Sequence, residues 1–210
     1  MRWKKIDKRA LQDPPSQLNY DEDQCFYARE LLSEGYDRSP DNQMIWNYKK
    51  STDRKGKPEW SHKEAAIRQF ASELSPLFKT GKQYAVTTIP SSKTRSDPAY
   101  DARLPDTIVA LQSMVSGIIY HEPIVLRKSV TPSHQGGSRV ISELRENYKW
   151  IGFSQEVPRE LIIIDDVITS GSHFKAYQKV LTDHCNCKVY GLFWALTRNP
   201  LSKFTVEAHK

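Results

Sequence analysis

Two adjacent carboxylates, Asp165 and Asp166, separate an apolar run from a hydroxyl-rich loop in LIIIDDVITSGSH, residues 161–173. Ionised carboxylates only accept hydrogen bonds, so a neighbouring pair suits two vicinal sugar hydroxyls. Thr169, Ser170, Gly171 and Ser172 then offer three hydroxyls and one glycine. Backbone amides in such a loop can close round a phosphate where a helix begins. One sugar phosphate would fill both halves of this device. The blander alternative is a buried strand that ends in a helix cap, with both acids merely solvated.

Residues 161–164 are apolar and mostly β-branched, as in a central parallel strand buried on both faces. The acids would then stand at its carboxyl end, where open α/β sheets bind ligands.

Four apolar residues, two acids, two apolar residues and a Thr/Ser/Gly loop resemble the phosphoribosyl pyrophosphate signature of type I phosphoribosyltransferases. His173 stands where that family usually carries a small hydroxyl residue or Arg. The segment after residue 128 is similar to the competence-protein-F branch, with Thr131, Gln135, Arg145, Asn147, Gly152 and Phe153 in the branch's order. The amino-terminal zinc ribbon of that branch is missing. Tyr100, Asp101, Ala102, Arg103 and Leu104 replace its Arg-Gly-Phe-Asn stretch. The resemblance spans about residues 61–198 and is concentrated in 161–172.

It implies an α/β fold, a doubly wound parallel sheet with a flap. Phosphoribosyl pyrophosphate would bind with Mg2+, and ribose phosphate would pass to an acceptor with release of pyrophosphate. Asp165 and Asp166 would hold the ribose hydroxyls and the metal, directly or through water. Thr169, Ser170, Gly171, Ser172 and His173 would hold the 5′-phosphate. Ser91, Ser92 and Lys93, in the loop after the first core strand, would meet pyrophosphate, with Arg127 and Lys128 stabilising the leaving charge. In the 6-oxopurine branch an acid occupies the position of Thr169, so the resemblance argues against hypoxanthine or guanine as acceptor. His134, Glu143 and Asp106 are the candidate general bases. A non-catalytic sensor of phosphoribosyl pyrophosphate or a nucleotide that contacts nucleic acid through the amino-terminal segment is the alternative reading.

The rest of the chain must position these groups. With 210 residues, 38% hydrophobic and 27% charged, it suits one globular domain with an appended element. Residues 1–60 read as an amino-terminal extension, with a helix at 21–33 and a turn-rich stretch through Gly35, Pro40 and Asp41. Residues 61–210 read as the phosphoribosyltransferase-like domain. Ser61 is the expected cap of a helix reaching about Phe78, with Glu64 three residues on. Strands are expected at 84–89 and 123–126, a helix at 105–115, and a flap over 129–158. If the 123–126 strand is parallel to the others, Arg127 and Lys128 share the sheet edge of Asp165. A helical stripe of Phe174, Tyr177, Val180 and Leu181 then leads to a strand at 188–196. Such alternation predicts right-handed crossovers.

The net charge is +6 and the pI about 9.1, which favours anionic ligands without naming one. Lys49, Lys50, Arg54, Lys55 and Lys57 interleave with Trp46, Tyr48 and Trp60, as on some single-strand-binding surfaces. Nucleic acid is therefore an expected partner beside the small-molecule substrate; a solvated basic face is the plain alternative. A second copy of the chain is another expected partner, whereas a membrane is not. No run approaches a membrane span, and the basic start leads to acids and prolines, so a cytoplasmic location is the expected default. Cys25, Cys185 and Cys187 are too few for a disulfide framework and read as reduced thiols. His184, Cys185 and Cys187 lack the second ligand pair of a usual zinc site.

Overall fold

The computed structural model describes residues 2–8, 16–32, 39–132 and 136–198. Its strands are β1 (Lys4–Lys5), β2 (Gln24–Leu32), β3 (Tyr84–Thr88), β4 (Ile118–Tyr120), β5 (Ile124–Leu126), β6 (Tyr148–Trp150), β7 (Glu160–Ile168) and β8 (Lys188–Arg198). The α-helices are α1 (Pro40–Tyr48), α2 (Trp60–Leu74), α3 (Arg103–Met114), α4 (Ile141–Asn147) and α5 (Ser172–Thr182).

Six strands form one sheet in the order β1-β2-β8-β7-β3-β4, parallel except for β1 at one edge. β4 lies on one side of β3 and β7 on the other, so the strand order reverses between β3 and β7. That is where sheets of this kind leave a crevice beyond their carboxyl ends. Helices lie on both faces. Phe174, Tyr177 and Leu181 of α5 pack with Leu161, Ile163 and Phe193, while Phe70 of α2 and Ile108 of α3 pack with Val86, Ile164 and Trp194 on the other side. There Phe70 stacks on Trp194 at 4.7 Å, and Tyr48 meets both rings edge-on.

Several expected elements are corrected. Residues 24–32 form a strand where a helix was expected over 21–33. Ala, Glu and two Leu favour a helix locally, but Cys25 and Tyr27 face one core while Phe26 and Ala28 face the other. Eight register pairs along β8 fix that alternation. The sheet therefore crosses the boundary expected at residue 60. Pro40 and Asp41, expected in a turn, instead begin α1, whose cap Ser39 accepts from the Asn42 amide at 3.0 Å. Ser61 lies inside α2, its hydroxyl donating to the Pro58 carbonyl, and Glu59 takes the cap position.

The strand expected at 123–126 is also relocated. The last rung beside β3 is the His121 amide on the Val86 carbonyl, after which Pro123, lacking an amide hydrogen, leads the chain out of the sheet. β5 then pairs antiparallel with β6 in a separate two-stranded sheet, and β4, absent from the expected order, takes the core position. No helix among the described residues is long and apolar enough to cross a membrane.

Candidate functional site

β7 runs on through the acids to Ile168, so Asp165 and Asp166 are residues of the strand itself and project to opposite faces. Asp165 follows Leu161 and Ile163 toward α5 and β6, where its charge acts on Tyr148. Asp166 follows Ile162 and Ile164 toward α1 and α3. Its amide donates to Asp165 Oδ1 at 2.8 Å.

Opposite surroundings drive the two carboxyls apart. Burial, and then the neighbouring Asp166 charge, push the Asp165 carboxyl up toward neutrality. Burial would raise Asp166 as well, but Lys49 and Arg103 outweigh it and hold that carboxyl below the usual range. Arg103 places Nε 2.9 Å and Nη2 2.8 Å from Asp166 Oδ2, and Lys49 Nζ lies 3.2 Å from Oδ1. Arg103 Nη1 also donates to Asp101 at 2.8 Å, and Asp101 accepts from the buried Lys63 ammonium at 2.6 Å. Lys49, Asp166, Arg103, Asp101 and Lys63 thus form one chain of alternating charge that ties α1, α2 and α3 to β7. A carboxylate without a partner in so dry a place would be costly, and alternation removes that cost.

Asp165 makes no ion pair among the described residues. A hard divalent cation such as Mg2+ takes one or two carboxylates and completes its shell with water and substrate phosphates. Asp165 fits that donor role; Asp166 fits it once its two cations turn to a ligand. No group of three or more side chains suited to hold a metal occurs among the described residues.

The hydroxyl loop lies where the sequence places it, between β7 and α5. Gly171 caps α5 with φ of +82°, a left-handed conformation that glycine adopts without strain. Ser170 and Ser172 are buried, their hydroxyls 2.9 Å apart, and Thr169 shares a hydrogen bond of 2.8 Å with Thr197. Residues 16–23 lie across this loop. The Gln17 amide donates to the Ser170 carbonyl at 2.8 Å, and a Cβ on Gly171 would stand 2.9 Å from Leu18 Cδ2. Buried Asp23 accepts from Lys175 of α5 at 2.8 Å and from Gln178, which anchors the crossing segment. His173, in the first turn of α5, lies with Nδ1 3.3 Å from the Tyr148 hydroxyl. Burial lowers its pKa; Asp166 opposes this, while Arg139 and Lys49 add to it.

Ser91 and Lys93 line a cavity of about 320 Å³ between the loop after β3, the start of α3 and β5. Arg103 and Asp101 line it too, so the cavity reaches Arg103, one of the two cations of Asp166. Arg95 pairs with Glu122 at its rim, and Tyr120 donates to Glu122 at 3.1 Å. Ser91 donates to the Lys93 carbonyl at 3.1 Å, and the Ser92 carbonyl accepts from the Val130 amide. Arg127 and Lys128 are not brought to Asp165 by a shared sheet edge. They follow β5, exposed, where Arg127 Nε donates to the Glu146 carbonyl and the Lys128 amide to Asn147.

Lys49, Arg103 and Tyr148 are the site residues that sequence reading did not single out. Arg103 carried a signal, because it falls in the replaced stretch before a helix. Lys49 carried none, being remote in sequence and hidden in a basic cluster. Within that cluster Tyr48 is fully buried and Lys50 donates to the Glu59 carbonyl, whereas Trp46, Arg54, Lys55 and Lys57 are exposed. Of the candidate bases, Glu143 and Asp106 are exposed on α4 and α3, and His134 lies outside the described residues, as does Gln135 of the branch resemblance.

Comparison by sequence finds no matching family model and no matching curated protein. Among solved structures, a hypoxanthine phosphoribosyltransferase from Staphylococcus aureus is similar in its tetragonal form at 11% identity, over 64% of this chain and 73% of that one, with a TM-score of 0.36. Its orthorhombic form is similar at 16% identity, over 64% and 67% of the two chains, with a TM-score of 0.33. Likeness this slight carries no argument about activity.

Proposed function

We propose that this protein is a phosphoribosyltransferase of the type I class: it binds phosphoribosyl pyrophosphate with Mg2+ and passes ribose phosphate to an acceptor other than a 6-oxopurine, releasing pyrophosphate. The observation that carries the reading is the succession, at the reversal of a parallel sheet, of Asp165 and Asp166 in β7 and the Thr169–Ser170–Gly171–Ser172 loop that opens α5.

The charges suit the chemistry. Positive charge builds on the ribose as pyrophosphate leaves, so acids belong at the sugar and cations at the leaving group. Bound Mg2+ would neutralise pyrophosphate oxygens. Asp165 and Asp166 would accept from the ribose hydroxyls. Lys49 and Arg103, released from Asp166, would turn toward pyrophosphate, joined by Lys93 from the cavity wall. The loop and the first amides of α5 would orient the 5′-phosphate, with His173 beside them. α4 and β6, within the flap expected over 129–158, would exclude water from the reacting sugar. The doubly wound reading of the sheet, with helices on both faces, and the likeness of Thr131, Gln135, Arg145, Asn147, Gly152 and Phe153 to the competence-protein-F branch belong to the same proposal.

A sensor without turnover is the second reading. It is favoured by Asp166 being already satisfied by two cations and by Leu18 packed on Gly171. Incubating the protein with phosphoribosyl pyrophosphate, Mg2+ and pooled bases, and following pyrophosphate, separates the two. Release that disappears in the D165N/D166N variant supports the enzyme; tight binding without release supports the sensor.

A further inference from the structure

Cys185 and Cys187 lie in the connection from α5 to β8, remote from the chemistry proposed above, and nothing in that chemistry uses them. Their sulfurs are 3.1 Å apart. The connection is fixed on both sides: the Cys185 amide donates to the Leu181 carbonyl at 2.8 Å, and the Lys188 amide to the Arg159 carbonyl at 2.8 Å. His184 is held by its Nδ1 on the Val180 carbonyl, 2.9 Å, and by its ring stacked on Trp150 of β6 at 4.7 Å. The two thiols therefore meet in a held turn.

The two sulfurs differ in access. Cys185 is partly exposed and Cys187 buried. Burial, and then the neighbouring sulfur, push the Cys187 thiol up to about 12, so the proton stays on the inner sulfur and Cys185 is the one presented to a reagent.

We propose that Cys185 and Cys187 form a redox-active dithiol, oxidised reversibly to a disulfide by a low-molecular-weight disulfide of the glutathione class. The Cys185 thiolate attacks one sulfur of oxidised glutathione, forming a mixed disulfide and expelling one glutathione thiolate. Cys187 yields its proton to that thiolate and attacks Cys185 Sγ, expelling the second glutathione. Two protein thiols are oxidised and one glutathione disulfide is reduced. The ring closed across a single intervening residue, Asn186, constrains little of the unfolded chain, so the bond adds little stability. A disulfide of that kind is labile, as in regulatory pairs and unlike structural bridges. Its closure would act on the turn that carries His184, and through the ring stack on β6.

The test is mass spectrometry of the folded full-length protein after oxidised glutathione, with free thiols counted by alkylation. The dithiol predicts loss of two thiols out of three, no retained glutathione, no covalent dimer, and full reversal by dithiothreitol. Buried Cys25 remains alkylatable only after unfolding. C187S should instead trap a stable glutathione adduct on Cys185, and C25S should still lose two thiols; either variant suffices if the other fails to fold. Three persisting thiols, a glutathione adduct that stays on the wild type, or a bridge between chains would each overturn the proposal.

Discussion

Arg103 grips Asp166 with Nε at 2.9 Å and Nη2 at 2.8 Å, sixty-three residues apart in sequence, and with its remaining nitrogen holds Asp101. This one side chain fixes the start of α3 to the carboxyl half of β7. Removing one partner of a buried, hydrogen-bonded pair costs about 3–5 kcal/mol, because the other charge is stranded. R103M should therefore lose about 3 kcal/mol in urea unfolding, the lower end because Arg103 is partly exposed. R103K should recover only part of this, since an ammonium cannot reach both carboxylates as a fork does. An unchanged unfolding midpoint for R103M would remove Arg103 from this role.

Lys49 should behave differently. Its side chain is 33% exposed, so the pair with Asp166 adds little to folding, under about 1 kcal/mol. K49A should leave thermal unfolding nearly unchanged, yet weaken pyrophosphate binding several-fold and reduce its salt dependence. Equal affinities in wild type and K49A at low salt would show that Lys49 never leaves Asp166.

Gly171 tests the loop. A side chain there meets Leu18 at 2.9 Å and must adopt a left-handed backbone, worth about 1–2 kcal/mol. G171A is expected to lose that much stability, while L18A, which clears the contact, should restore part of it in the double variant. Additive losses in a double-mutant cycle would show that Leu18 and Gly171 do not interact.

The acids give opposite pH signatures. Asp166 has a folded pKa below the unfolded value of about 3.9, so its stabilisation is present above that value and fades as pH falls through the folded pKa. Asp165 is raised to about 7, so the folded protein holds an extra proton between about pH 4 and 7, and stability falls as pH rises through that window. D165N should thus gain stability relative to wild type on going from pH 5 to pH 8. Mg2+-dependent ligand binding should strengthen over the same rise as Asp165 ionises. A wild-type-minus-D165N difference that stays flat with pH would contradict the assignment.

What was legible in the sequence followed local patterns. Residues 161–164 could be read as a buried strand because every side chain is apolar, and α2, α3 and α5 because their apolar positions recur at helical spacing. In β2, Ala28, Arg29, Glu30, Leu31 and Leu32 are good helix formers, and only pairing with β8 makes a strand of them. In β5, three apolar residues do not reveal that their partner is β6 rather than the main sheet. The acidic pair and its loop were visible as a motif, but their opposite faces depend on β7 continuing to Ile168. Lys49 and Arg103 reach Asp166 through tertiary packing, which no spacing rule encodes.

Isothermal titration of phosphoribosyl pyrophosphate, with and without Mg2+, into wild type and the D165N/D166N variant, with circular dichroism confirming that both are folded, decides whether the acidic pair holds the ligand. Mg2+-enhanced binding to wild type and at least a tenfold loss in the variant, about 1.4 kcal/mol or more, are expected. No binding to the wild type, or equal binding to a folded double variant, would contradict that role.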